Sequence, residues 1–447
     1  MARVSKNQAL NIWANGDLVG QWQVSSQGVD TLIYDSTWLT SKFGRPISLS
    51  LPCSINNGSL QGPEIYNYFE NLLPDSDLIR RRIQARFRTP NTGAFELLNA
   101  IGRDCVGALQ LLPVDQKPHA IRKIEAQPLS DHDVANILKA TSASPSSMRQ
   151  SDDLDEDFRI SIAGAQEKTA LLWHQGRWCR PLGATPTTHI FKLPLGLVGN
   201  RQADMRISVE NEWLCSKIIH QFGLPVASCE ILQFEDQKAL VVERFDRKLA
   251  EQNYWLRLPQ EDFCQVMGIS SETKYQSDGG PSLIDVAKVL QQSEKRDQDL
   301  KTLLKAHLLF WLMAATDGHA KNFSIFILPG GRFCLTPLYD VLSAWPVTGL
   351  GPNKLDQNQI RLAMAIRGKN NYYRLKDIQR RHFNHTARLC GWGDNMENII
   401  SEVLEQLTEV LNNVKKMLPS SFPEEIFLSI ESGIQISAKR LLRMADA

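Results

Sequence analysis

The chain has 447 residues, 43% of them hydrophobic and 22% charged, with a formal net charge of +1. This supplies a large core in about two to three domains and excludes a disordered or fibrous chain. The near-zero charge excludes a globally basic nucleic-acid binder, so any nucleic-acid contact must come from a local patch.

The opening MARVSKNQALNIW lacks the apolar stretch of about 7–15 residues that marks a signal peptide. No apolar run approaches the ~20 residues of a membrane span, so a cytoplasmic protein without a membrane partner is expected. ALNIWA and LVGQWQV alternate around Asn15-Gly16-Asp17 and predict a hairpin over 8–24. Residues 66–87 have helical apolar spacing interrupted by Pro74. The Ser-, Asp- and Pro-rich tract 140–157 has no apolar period and reads as a linker. The expected divisions are 1–150, a mixed α/β part, then 151–245, rich in strands, then 246–447, mainly helical.

FRISI, TALLWH and RWCRPL read as short strands, the last two joined at Gln175-Gly176. HIFKLP is a further strand, and 208–224 is a helix closing near Gly223. EILQFEDQKALVVERF is a strand pair, and 301–316 is a strongly apolar helix. FSIFIL and RFCLTPLYD follow as two strands around Pro329-Gly330-Gly331, and the last ~90 residues read as helical throughout. Sheet first, then helix, polar loop, hairpin and helices is the order of an α+β, two-lobed protein-kinase-like fold. The eight cysteines contain no CxxC pair and read as reduced, buried thiols.

Thr316-Asp317-Gly318-His319-Ala320-Lys321-Asn322 carries the chemistry. Phosphoryl transfer needs a carboxylate to orient a hydroxyl and take its proton, and oxygen ligands for magnesium. Asp317, with Asn322 five residues later, offers both, and a protein-kinase catalytic loop spaces its Asp and Asn the same way. Asp340, read at the end of the LTPLYD strand, is the second metal ligand. Each of these residues alone fits an ordinary turn, and their joint order points to a phosphotransferase.

Upstream, Ala163-Gly164-Ala165-Gln166-Glu167-Lys168 offers small residues through which backbone N–H groups can approach phosphate. Glu167 before Lys168 and a following strand exclude a Walker A loop. An ordinary hairpin turn fits these residues equally well. Lys192 is either an edge-strand surface residue or the ammonium that holds α- and β-phosphates. The second role needs an acid from the 208–224 helix, Glu212 in preference to Glu210. Glu243-Arg244-Phe245 stands where a crossover would meet the adenine edge, with a plain strand end as the alternative. Arginines 80–88 and the basic run 374–388 fit either solvated helix faces or nucleic-acid contacts.

RISIAGAQEKTALL, THIFKLP, ERFDR, RLPQEDFCQ, SDGGP, TDGHAKNFSIF and LTPLYDVLSA together resemble the HipA family of serine/threonine-kinase toxins. RPISLSLP, FENLLPDS, Ala100–Asp104 and VGALQLLP extend the resemblance over nearly the whole chain. It implies a bacterial toxin–antitoxin kinase using ATP and Mg2+, with Asp317 catalytic and Asn322 and Asp340 as metal ligands. It also implies nucleotide contacts from 163–168, Lys192, 243–245, His319, Lys321, Asn322, Tyr339 and Asp340. Ser161 matches a serine whose autophosphorylation disables the kinase. The implied partners are a small helix-turn-helix antitoxin dimer (HipB-like), operator DNA through that complex, and glutamyl-tRNA synthetase as protein substrate. Arg388 matches a basic DNA-contacting position, but Gly391 stands where another basic residue is expected. A lipid or small-molecule kinase, or mainly a corepressor, are the alternatives.

Overall fold

The computed structural model describes residues 8–53, 59–142, 161–164, 166–199 and 202–444. Most of the expected linker, the first residues of FRISI and Ala165 lie outside them. The chain divides into two compact units, each discontinuous in sequence. The first is Met1–Leu193, Leu232–Glu272 and Ile325–Phe333; the second is Pro194–Ile231, Thr273–Ser324 and Cys334–Ala447.

In the first unit the expected hairpin pairs Gln8–Ala14 with Asp17–Val24. Its turn residues Asn15 and Gly16 have φ 49 and 94, the left-handed pair that a two-residue hairpin of this twist demands. The hairpin sits in a five-stranded antiparallel sheet with Asp30–Tyr34, Ser59–Gln61 and Leu109–Pro113. Helices Pro63–Glu70 and Ala94–Ile101 cover it, and Trp22 stacks on Phe69 with ring centroids 4.1 Å apart. The helical run 66–87 is two helices, Pro63–Glu70 and Asp77–Phe87, broken around Pro74 as its missing N–H requires.

A second sheet has the strand order Cys229–Phe234, Gln237–Glu243, His189–Lys192, Lys168–His174, Arg177–Pro181, Ala126–Pro128. Its outermost strand, with helix Asp131–Ser142, comes from residues the sequence reading grouped with 1–150. Val134, Ala135 and Leu138 explain this, because their apolar stripe is buried against Leu171, Phe191 and Val241 of this sheet. Ser161 and Ile162 lie in irregular backbone rather than in the expected strand.

In the first unit, five charged side chains are buried together. Asp104 accepts from Arg247 Nη2 and Arg257 Nε, both at 3.0 Å, and Asp246 accepts from Arg244 Nη2 at 2.8 Å. Thr187 Oγ1 donates to Asp104 at 2.7 Å and Gly107 N–H to Asp246 at 2.8 Å. Burial pushes the Asp104 carboxyl up, but the guanidinium groups of Arg247, Arg257 and Arg244 outweigh it and hold it well below the carboxylate range.

The second unit is built on helix Arg296–Met313, buried along most of its length, with Ser208–Gln221, Glu397–Met417 and Glu424–Leu442 packed on it. Two expectations fail here. The last 90 residues are not helical throughout, since Arg361–Arg367 and Asn371–Arg374 form a hairpin. The strand expected through LTPLYD stops at Leu335, because Pro337 has no N–H to continue a ladder. All eight cysteines are free thiols, seven of them buried. Among the described residues no helix is long and apolar enough to cross a membrane.

Candidate active site

The loop bearing Asp317 begins where helix Arg296–Met313 ends. Ala314 adopts the left-handed conformation, φ 51, and Ala315 N–H bonds back to Phe310 O at 2.8 Å, closing the helix sharply. Ala315 then pairs with Ser343 in an antiparallel bridge, and Ala344 N–H donates to Ala314 O at 2.9 Å. Asn211, fully buried on Ser208–Gln221, fixes that junction: its amide donates to Ser343 O and accepts from Ser343 N–H, both at 2.8 Å. At the other end, the Tyr339 hydroxyl donates to Lys321 O at 2.8 Å and lies 2.5 Å from Ser324 Oγ. Asp317 to Asn322 and the segment carrying Asp340 are thus tied together at both ends.

Asp340 therefore does not end a strand, as expected, but lies five residues past one. Its φ is 60, a left-handed conformation that costs a non-glycine residue about 1–2 kcal/mol and redirects the chain.

Within the loop, Asp317 O accepts from His319 N–H at 2.8 Å and from Asn322 Nδ2 at 2.7 Å. The Asp317 side chain is half exposed, whereas His319, Lys321 and Asn322 are buried. Gly318 is demanded by packing, because a Cβ there would stand 2.7 Å from the Phe310 ring. The Tyr275 hydroxyl donates to Asp317 Oδ1 at 2.5 Å, and the Tyr275 ring meets His319 edge-on. Tyr275 was missed in the sequence, although it stands two residues before the SDGGP motif.

The donor set suits a hard divalent cation. The Asn322 NH2 is spent on Asp317 O, so its carbonyl oxygen is the atom left to bind metal, and Asp340 adds a carboxylate. Two protein oxygens, completed by water and substrate phosphate, are what magnesium tolerates.

In the first unit, Lys168 begins the strand that pairs directly with His189–Lys192, and Lys168 stands opposite Lys192. Lys192 is on an interior strand and 6% exposed, which removes the edge-strand alternative. Gly164 has φ 110, and a Cβ on it would fall 2.5 Å from Lys168 Nζ, which donates to Ala163 O at 2.8 Å. Glu167 O accepts Leu193 N–H at 3.1 Å, and Gln166 Nε2 donates to Leu193 O at 2.5 Å. Glu210 and Glu212 are both buried on the second unit's Ser208–Gln221 helix.

Arg244 departs from its expected place at an adenine edge. Its N–H donates to Thr188 O at 2.8 Å, its carbonyl accepts Arg247 N–H, and its guanidinium belongs to the buried ion cluster. Of the 80–88 arginines, Arg80 and Arg82 turn inward, onto Glu70 and Glu167 respectively. Arg388 is exposed on helix Arg380–Leu389 and donates to Asp394 O at 3.2 Å.

The HipA N-terminal domain model matches residues 10–112, and the HipA-like C-terminal domain model matches residues 160–411. The chain belongs to the HipA family. A putative kinase (Y4mE) of Sinorhizobium fredii is 35% identical over 364 residues, covering 80% of this chain and 82% of that protein. The serine/threonine-protein kinase toxin HipA of Shewanella oneidensis is 27% identical, over 74% of this chain and 72% of that one. The solved structure of a Shewanella oneidensis HipA–HipB–operator DNA complex shares the fold, with a TM-score of 0.76 at 22% identity, covering 97% of this chain and 98% of that chain. The α+β, kinase-like architecture and the HipA resemblance read from the sequence are therefore both upheld.

Proposed function

We propose that this HipA-family chain is an ATP- and magnesium-dependent toxin kinase that phosphorylates a translation factor, glutamyl-tRNA synthetase foremost, and silences itself at Ser161. The coarser part follows from family membership: the chain is a serine/threonine-protein kinase of the toxin–antitoxin type. The observation that carries the reading is the double tie between the Asp317–Asn322 loop and the Asp340 segment.

In this reading Asp317 accepts the proton of the attacking hydroxyl, and the Tyr275 hydrogen bond fixes the carboxylate's orientation. His319, Lys321 and Tyr339 line the nucleotide beside them. Lys192 holds phosphate together with residues 163–168. Glu243 and Phe245 meet the adenine. Magnesium held by Asn322 and Asp340 neutralises charge on the transferring phosphoryl group. Ser161 is fully buried, and its Oγ donates to Leu72 O at 2.7 Å. A phosphate of about −1.5 to −2 charges cannot keep that place, so modification displaces the loop. The solved relative with HipB and operator DNA supports a helix-turn-helix antitoxin dimer and operator DNA as partners, with Arg388 the candidate DNA contact.

Incubation with radiolabelled ATP, magnesium and cell extract tests the assignment. Label is expected in the synthetase and in the chain at Ser161; label only in lipids or metabolites rejects it.

A further inference from the structure

We infer that Arg82 is a positioning residue for the phosphate loop, holding it from the Asp77–Phe87 helix through Glu167. This rests on the reading of residues 163–168 as the phosphate-binding loop.

Arg82 lies in a run of arginines that looks like a solvated face, yet its side chain is 16% exposed. One guanidinium nitrogen, Nη2, pairs with Glu167, the residue before Lys168, and Nη1 donates to Thr141 O at 3.0 Å. Arg82 thereby joins the loop to the end of helix Asp131–Ser142 as well as to its own helix. Burial raises the Glu167 carboxyl above its usual value, and Arg82 opposes that shift. Removal of the guanidinium leaves a half-buried carboxylate without its cation.

Beside this ion pair, the loop is tied by the Ser161 and Gln166 side chains, which donate to Leu72 O and Leu193 O, and by backbone bonds. Gly164 pairs with Pro74 in a parallel bridge, and Gly164 O accepts Asp75 N–H at 3.1 Å. Pro74 is itself held by Arg80, whose Nε donates to its carbonyl at 2.6 Å while the guanidinium pairs with Glu70. A cleft of about 110 Å³, lined by Arg82, Ile83, Ile162, Glu167, Lys168 and Thr169, separates helix from loop. Glu167 follows the small residues whose backbone would cradle phosphate and directly precedes Lys168, whose Nζ folds back onto Ala163 O, so its anchor bears on both.

Hydrogen exchange of residues 161–168, measured on the full chain without nucleotide, reads the tie directly. In R82A these amides are expected to exchange about tenfold faster, the scale of one charged, partly buried hydrogen bond. The Arg177–Pro181 strand should keep its protection, which separates positioning from loss of fold. R82K should recover most of the protection. E167Q should match R82A, and the double variant should be no faster than either single one. In steady-state assays R82A should raise KM for ATP about tenfold with kcat nearly kept. Unchanged exchange in R82A, or additive effects in the double variant, would overturn the inference. A wild type that turns over no ATP but shows the exchange pattern would reject the kinase reading alone.

Discussion

The two loops assigned to nucleotide chemistry are held in opposite ways. The Asp317–Asn322 loop closes on itself: Asn322 reaches Asp317 five residues away, and an apolar helix of 18 residues carries the whole loop. The 161–168 loop makes its defining contacts at long range. Ser161 bonds to Leu72 across 89 residues, and Glu167 pairs with Arg82 across 85. A loop fixed by its own short-range bonds, by core packing and by a double tie to the Asp340 segment keeps its geometry through the reaction. One hung on a few polar links to another part of the chain can be released, which is what self-inactivation at Ser161 requires.

The sharpest break of this contrast removes chemistry without touching the scaffold. Asp317→Ala and Asp340→Ala should each lower phosphotransfer by about 10³-fold or more while the chain still folds, because both carboxylates are assigned to substrate and metal. Autophosphorylation at the normal rate in either variant would contradict the assignment. Asp104→Ala removes the side chain that anchors a segment behind the other loop, where the Asp104 main-chain carbonyl accepts Ser161 N–H at 3.1 Å. Stripping one carboxylate from three buried arginines should cost about 3–5 kcal/mol in denaturant unfolding. A loss within the range of surface substitutions would show the cluster to be dispensable.

A pH test follows from Glu261, fully buried, with its Oε1 accepting Leu49 N–H at 2.9 Å. Burial raises its carboxyl from 4.5 to about 8. The folded chain thus holds this proton where the unfolded chain has lost it. Stability is full below pH 4.5 and falls as pH rises to about 8, where the group ionises in place. Glu261→Gln should remove that part of the slope in urea titrations across this window, and an unaltered slope counts against it. The smallest effect is expected from Tyr275→Phe, which leaves Asp317 on its loop but frees one carboxylate oxygen. Activity should fall about three- to tenfold, as for one hydrogen bond of about 0.5–1.5 kcal/mol. A loss as large as that of Asp317→Ala would make Tyr275 part of the chemistry rather than its support.

The catalytic loop was legible because its residues are close in sequence and follow a strongly apolar helix that could only be buried. The Asn15-Gly16 hairpin, the break at Pro74 and the helix ending near Gly223 were legible for the same local reason. Asp340 was found in the right order but on the wrong element, because Pro337 ends the strand early and the Asn211–Ser343 pairing takes over. Arg244 was expected at a crossover meeting the adenine edge, and Arg80 and Arg82 on a solvated face or a nucleic-acid contact. Arg80 and Arg82 meet carboxylates 10 and 85 residues away, and Arg244 adds Asp104, 140 residues away, to the nearby Asp246; no local pattern encodes those distant partners. By itself the sequence determined the phosphotransfer chemistry, the order of elements and the family, since spacing, turn residues and apolar period are local properties. Tertiary structure alone decided how the phosphate loop is held, which arginines are structural, and that Tyr275 meets Asp317, because burial and long-range pairing choose among contacts that the chain leaves open.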